Sequence, residues 1–350
     1  FAGEKVTLIG NDAGVFRAVA RDNINCVLEN CYSLATTTGV NTYGLIGFNW
    51  EKTGKFTFKN CYNSNGPLNF GGSPGWCCTA ENSYSTADNV NANGGNWLDI
   101  GSNLITADDM KGLEVLSATG KMSTLNSADA YEATAEYPIL KVFNKSTTPG
   151  GGEQPADINV WDGTTKTAPA DSDNDGVYEI TNAAELAYVI NKDGTINGTP
   201  ACSFILTDDI YINDPSKVNW ETGVALDAEY TINSWFRYWK TGNIYHEFAG
   251  TIDGDGHTVY GLYFNMPNEG FQQYDAAALI PGVLGNVTIK NLAVDKAYVN
   301  YKNGVSAFVG YALTDSTVNI SNSFAGADVT LMGNDAGVFR AVARDNINCV

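Results

Sequence analysis

The chain is short of most things that metal, nucleic-acid and membrane chemistry draw on. Two histidines and no Cys-x-x-Cys pair in 350 residues leave no ligand set for a structural zinc. Lysine and arginine total 20 against 39 aspartates and glutamates, and a formal charge of -19 repels phosphate backbones, which excludes nucleic acid as a partner. No run of about 18 apolar residues occurs, so the segment offers no membrane-spanning helix. Only 10 prolines are present, and the Leu, Lys and Glu that fill long helices are scarce. What is abundant is glycine (37), tyrosine (18), asparagine and threonine, a composition of strands and turns. The expected class is all-β, with an acidic surface that keeps a long chain soluble and suits a calcium-containing medium.

The sequence also repeats itself. Residues Phe1–Val27 return as Phe324–Val350 with changes only at Glu4/Ala327, Lys5/Asp328 and Ile9/Met332, an offset of 323 residues (324 minus 1). The chain therefore reads as one period of a tandem array, cut at an arbitrary point; it begins with Phe rather than Met, so neither end need be native. Residues 146–157, STTPGGGEQPAD, are a linker of Gly, Pro and small polar residues with nothing to bury. Residues 158–350 then form the N-terminal and central part of one unit, and residues 1–145 its remainder. The implied partners are neighbouring repeats, head to tail.

A finer period runs inside the unit. Gly261, Asn291, Asn322, Asn30, Asn60 and Asn82 each follow an apolar/polar alternation, at steps of 30, 31, 31 (across the 323 offset), 30 and 22. His257, Val287, Val318, Cys26, Phe56 and Cys78 stand four residues before these markers, and Val259, Ile289, Ile320, Leu28, Phe58 and Ala80 stand two before. Period-two alternation ending in a bend once every thirty residues is what parallel strands need if like positions stack on neighbouring coils. The predicted fold is a β-solenoid of roughly six or seven coils, about 30 Å long. Asn30, Asn60, Asn82, Asn291 and Asn322 form a structural ladder whose side chains bond backbone at each bend. Cys26, Cys31, Cys61 and Cys78 fall in inward columns as buried thiols, with Cys31 and Cys61 on adjacent coils within disulfide range. Two capping-box signals, Asn182/Glu185 and Thr106/Asp109, predict short helices at Ala183–Asn191 and through Met110, Leu113 and Leu116 that cap the two ends.

The segment Gly44-Leu45-Ile46-Gly47, with looser copies at Ala307–Gly310 and Gly337–Arg340, resembles the core of the GLUG-motif repeat proteins of bacterial surfaces. The entry Phe248–His257, the Asn-Cys-Tyr repeats at Asn30 and Asn60 and the exit Tyr137–Lys141 are similar to the same family. The resemblance implies a right-handed parallel β-helix, an extracellular location on a bacterial cell surface, a fibrous, adhesin-like role, and no catalytic residues. Residues Ala225–Glu247 depart from it as an insertion.

Three groups carry chemistry. Asp171, Asp173 and Asp175 followed by Gly176 match the opening of a Ca2+ loop, although the twelfth position is Asn182 where a bidentate Glu belongs; an ion-free acidic turn is the competing reading. Asp253, Asp255 and His257 suggest an acid–base cluster, but Asp-Gly-Asp-Gly is first a turn sequence, and no second carboxylate group matches it across a groove. Trp235, Phe236, Tyr238 and Trp239 in the insertion either stack on a glycan or receptor, or cap the core. The expected function is a structural repeat unit of an extracellular fibre, stalk or adhesin. A glycan- or receptor-binding adhesin module and a polysaccharide-cleaving enzyme are the alternatives.

Overall fold

In a computed structural model the chain folds into strands joined by turns, with one α-helix among the described residues. The structure describes all of the chain except residues 1, 4, 21–23, 43, 50–53, 69–76, 88, 91–95, 99–102, 128, 142–157, 192–194, 197–198, 201–202, 239–245, 270–274, 314–315, 327, 344–347 and 350. The linker 146–157 and Trp239 fall outside the described residues, as do the side chains of Cys26 and Cys78.

The strands form in a recurring order. One pass runs Ala297–Tyr301, Gly304–Ser306, Val309–Ala312, Thr317–Ser321 and Phe324–Ala325; the next runs Val329–Met332, Asp335–Gly337, Arg340–Ala343 and Asn348–Cys349. Each strand pairs in parallel with its counterpart: Val299 with Leu331, Val305 with Ala336, Val309 with Arg340 and Val318 with Cys349. Antiparallel hairpins close on two residues, whereas this arrangement carries the chain through other sheets before it returns beside its own earlier strand. Nine-, thirteen- and four-stranded sheets result, with a three-stranded sheet continuing the last through Ala2, which bridges both Ala325 and Ser33.

Parallel register puts like residues beside like. Ile252, Ile289 and Ile320 form one row, and Leu28, Phe58 and Ala80 another. Phe308, Phe339 and Phe16 stack with ring centroids 5.0 and 4.8 Å apart, close to the strand spacing itself. Tyr32 and Tyr62 stack at 5.0 Å. The interior follows, with Leu8, Leu331, Val299, Ile289 and Val309 fully buried. The glycine of Gly44-Leu45-Ile46-Gly47 has a steric reason, because a Cβ at Gly44 would collide with the Pro67 carbonyl.

The two copies of the duplicated segment occupy successive places. Val6 pairs with Val329, Leu8 with Leu331, Asp12 with Asp335, Val19 with Val342 and Cys26 with Cys349. Leu28 is therefore not the immediate neighbour of Ile320 that the step of 31 across the 323 offset predicts; the strand Asn348–Cys349 lies between theirs.

At each bend stands an asparagine in the left-handed region: Asn291, Asn322, Asn30, Asn60 and Asn82 have φ between 47° and 54°. Asparagine tolerates this conformation better than other residues with a Cβ. Their amides bond one another as well as continuing the backbone pairing: Asn60 Nδ2 donates to Asn30 Oδ1 (3.1 Å), Asn82 Nδ2 to Asn60 Oδ1 (3.3 Å) and Asn322 Nδ2 to Asn291 Oδ1 (3.3 Å). The ladder is thus side chain to side chain, not side chain to backbone. Its first member is Asp253, which accepts from Asn291 Nδ2 at 2.9 Å.

That position corrects the first marker. Asp253 pairs with Lys290, so Gly254 rather than Gly261 lies level with Asn291. The rows through Val287 and Ile289 include Gly250 and Ile252, while Val259 lies in the next sheet opposite Val294. His257, expected inward, sits at the turn. The cause is the Asp-Gly-Asp-Gly corner, where Asp255 (φ 49°) and Gly256 (φ 91°) add residues that the other bends lack.

The helix Ala183–Asn191 buries Ala183, Leu186, Ala187, Val189 and Ile190 in the main core. Asn182 Oδ1 accepts from the Ala184 and Glu185 amides, and Glu185 reaches back to Thr181. The second capping box also closes, Thr106 Oγ1 accepting from the Asp109 amide, yet only a 3-10 turn, Asp108–Met110, follows it. Gly112, at φ 100°, ends it, and a succession of turns buries Met110, Val115, Met122 and Leu125 against Tyr32, Tyr62 and Tyr84. The expected second capping helix is therefore a turn-rich cover laid on the tyrosine row.

Asn60 is the most heavily used ladder residue, since Ser127 and Asn82 both donate to its side chain and the Tyr131 hydroxyl donates to its carbonyl at 2.7 Å. Asn60→Ala loses both the amide bonds and the tolerance of φ 51°, and is expected to lower stability by about 2–3 kcal/mol in urea denaturation. Asn60→Gly, which restores only the backbone freedom, is expected to recover about 1 kcal/mol of that loss.

Candidate functional site

The acidic loop is built on a strand edge. Ala170 and Glu179 form an antiparallel bridge, with the Glu179 amide donating to the Ala170 carbonyl at 2.8 Å, so the residues between them close into a loop. Asn174 and Gly176 turn it with φ of 62° and 88°. Carboxylate oxygens of Asp171, Asp173 and Glu179 converge, all within 4.8 Å of one another. Asp175 does not join them; its carboxylate accepts the Val177 amide at 2.7 Å and serves the turn. Asp171 is tethered by the Asp175 and Gly176 amides, both at 3.1 Å. Glu179 accepts from the Ser172 hydroxyl at 2.8 Å and from the Ser172 amide, and these bonds hold its carboxyl below the usual glutamate range.

Three hard oxygen donors on a short loop are a donor set for Ca2+, whose remaining positions carbonyls and water would fill. The sequence pattern pointed to Asp171, Asp173 and Asp175 with a closing ligand at position twelve; the structure brings together Asp171, Asp173 and the ninth residue, Glu179. A signal for Glu179 was present. Ile180 is buried and Glu179 precedes it in the strand Tyr178–Ile180, so alternation turns Glu179 to the loop side.

The insertion aromatics are inside. Trp235 is buried, donates Nε1 to the Leu279 carbonyl at 2.9 Å and meets Trp161 edge-on at 5.1 Å. Tyr238 is buried and stacks on Tyr311 at 5.5 Å. Phe236 is partly buried, wedged between Trp161 and His246, with the Lys166 ammonium 5.4 Å from its ring centre. Rings this buried offer no open plate to a sugar, so Trp235 and Tyr238 serve as core residues.

The Asp253, Asp255 and His257 group is dispersed. Asp253 is bound by Lys290 at 2.8 Å and by Asn291; partial burial pushes its carboxyl up, but these hydrogen bonds outweigh it and hold the carboxyl below the ordinary range. Asp255 is exposed in the turn, and His257 faces Asp209 at 3.4 Å. Asp209 is itself engaged by the Thr258 amide at 2.8 Å.

One titratable group was not singled out from sequence. Asp295 is fully buried; its Oδ1 accepts the Lys296 amide at 2.7 Å, and its Oδ2 has no hydrogen-bond partner among the described residues. Burial raises its carboxyl to about 6, only partly offset by the Lys296 amide and charge. Lys296 instead pairs with Asp328, which Lys5 also approaches at 3.8 Å. The in-register neighbour Gly326 leaves room for this carboxylate, since a Cβ there would lie 2.7 Å from Asp295 Cγ.

Comparison with protein-family models, curated proteins and solved structures finds no match to this chain.

Two outcomes are expected. If the loop takes Ca2+, millimolar Ca2+ raises the melting temperature, by an amount equivalent to about 2.7 kcal/mol at a hundredfold excess over Kd. Glu179→Gln then abolishes the shift and Asp175→Asn keeps it, as read by differential scanning calorimetry. For Asp295, the folded chain retains between pH ~4 and ~6 a proton that the unfolded chain has released. Stability therefore falls as pH rises through that window, and Asp295→Asn flattens the slope in denaturation curves measured from pH 4 to 7.

Proposed function

We propose that the chain is a structural repeat unit, built as a right-handed parallel β-helix, of an extracellular fibre, stalk or adhesin on a bacterial surface. The observation that carries this reading is the in-register parallel pairing of strands about thirty residues apart, continued by the duplicated segment, where Val6 to Ile9 lie beside Val329 to Met332. A chain whose successive passes stack satisfies its backbone bonds along one direction and needs protection only at its ends. The resemblance of Gly44–Gly47, Ala307–Gly310 and Gly337–Arg340 to a bacterial surface repeat supports the setting, and the charge of -19 suits a long polymer that must not aggregate. The mechanism is mechanical: each pass adds about 4.8 Å of length, and neighbouring repeats extend the stack head to tail.

Antibodies raised against the chain are expected to label extended surface filaments on intact cells of the source organism. Oriented filaments should diffract at about 4.8 Å along their axis. Label confined to the cell interior, or filaments with that spacing across the axis, overturns the reading.

A further inference from the structure

Cys31 and Cys61 each follow a ladder asparagine directly, and the residues after them, Tyr32 and Tyr62, are paired in parallel register. The Tyr62 amide donates to the Cys31 carbonyl at 3.0 Å, which locks the two cysteines on adjacent passes. Adjacent parallel strands stand about 4.8 Å apart, inside the Cα separation that a disulfide bridges. Both side chains turn to the same interior. Cys61 Sγ bonds the carbonyls of Leu28 (3.3 Å) and Lys59 (3.2 Å), the first belonging to the pass that carries Cys31, while Cys31 Sγ bonds Glu29 O at 3.2 Å.

The pair is asymmetric. Cys61 is fully buried, whereas Cys31 keeps part of its surface open to solvent. The hydrogen bond from Cys61 pulls the Cys31 thiol down against the upward push of burial, and burial drives the Cys61 thiol up. One sulfur is thus reachable and more readily ionised, and the other is shielded but adjacent.

We propose that Cys31 and Cys61 are a disulfide-forming pair that staples two successive passes, made by exchange with a small external disulfide. The Cys31 thiolate attacks one sulfur of that disulfide, breaking its S–S bond and expelling one thiolate. Cys61 then gives up its proton to the expelled thiolate, and its sulfur attacks Cys31 Sγ, expelling the second half of the external disulfide as thiolate, which takes a proton from solvent. Two protein thiols become one disulfide, and the external disulfide is reduced to two thiols. Cys31 is the attacking group and Cys61 the resolving one. The ring closed between residues 31 and 61 contains one complete pass, so the staple holds a pass against loss of its strand pairing.

The experiment treats the purified full chain with excess oxidised glutathione in native buffer and maps the products by peptide mass spectrometry. The expected product is a peptide pair joined through Cys31 and Cys61, and the oxidised chain melts several degrees above the reduced chain, an increment that dithiothreitol abolishes. Cys61→Ser is expected to retain glutathione on Cys31. Cys31→Ser is expected to leave Cys61 unmodified, reacting at least about tenfold more slowly than Cys31 does in the parent chain. Should either variant fail to fold, limited alkylation of the parent chain replaces it, and Cys31 is expected to label before Cys61. A link between other cysteines such as Cys26 and Cys349, stable glutathione adducts on both Cys31 and Cys61, labelling of Cys61 first, or an oxidised chain that melts no higher overturns the proposal.

Discussion

Parallel pairing in register is the constraint on which everything else in this molecule depends. Once Val299, Leu331 and Leu8 share a row, each side chain meets a near-copy of itself about one strand spacing away. Only residues that stack well on themselves fit such rows: aliphatic rows inside, phenylalanine and tyrosine rings face to face, and asparagine amides that both donate and accept. Of the two fully buried aspartates among the described residues, Asp275 and Asp295, the latter stands in a row whose neighbour is glycine.

The rows in the second half of the stack were legible because their signal is periodic and long. Asn291 to Asn322, Asn30 to Asn60 and Asn60 to Asn82 lie as far apart in register as the spacing indicates, down to the short step of 22. The first step was misread because Thr258–Tyr260 alternates like the other strands while belonging to a different sheet; a turn with two extra left-handed residues is invisible to a count of apolar positions. The helix Ala183–Asn191 was legible from its cap, but the same cap at Thr106 led only to a 3-10 turn, since a cap marks where a helix begins and says nothing of the glycine that ends it.

The candidate sites were less legible, because chemistry depends on which groups converge and not on which are near in sequence. A run of alternating aspartates drew attention to Asp175, whereas the bridge between Ala170 and Glu179 closes the loop and brings in a carboxylate from the strand. The aromatic run in the insertion signalled importance without direction: the same three residue types serve a glycan platform and a core cap, and only burial separates the two at Trp235 and Tyr238. Asp295 carried no signal at all, being one aspartate among many until its burial is known.

The side-by-side placement of the two duplicated segments has a consequence for how such chains change length. Where neighbouring passes have almost the same sequence, removing one or adding another presents each remaining strand with a partner identical to the one it had. The copies begin 323 residues apart, so recombination between them would gain or lose that whole length rather than a single pass, and each strand kept would still meet a partner of nearly the same sequence. At one of the three positions where the copies differ, Lys5 faces Asp328 across the join as an opposite charge, so this place in the row tells the two neighbours apart.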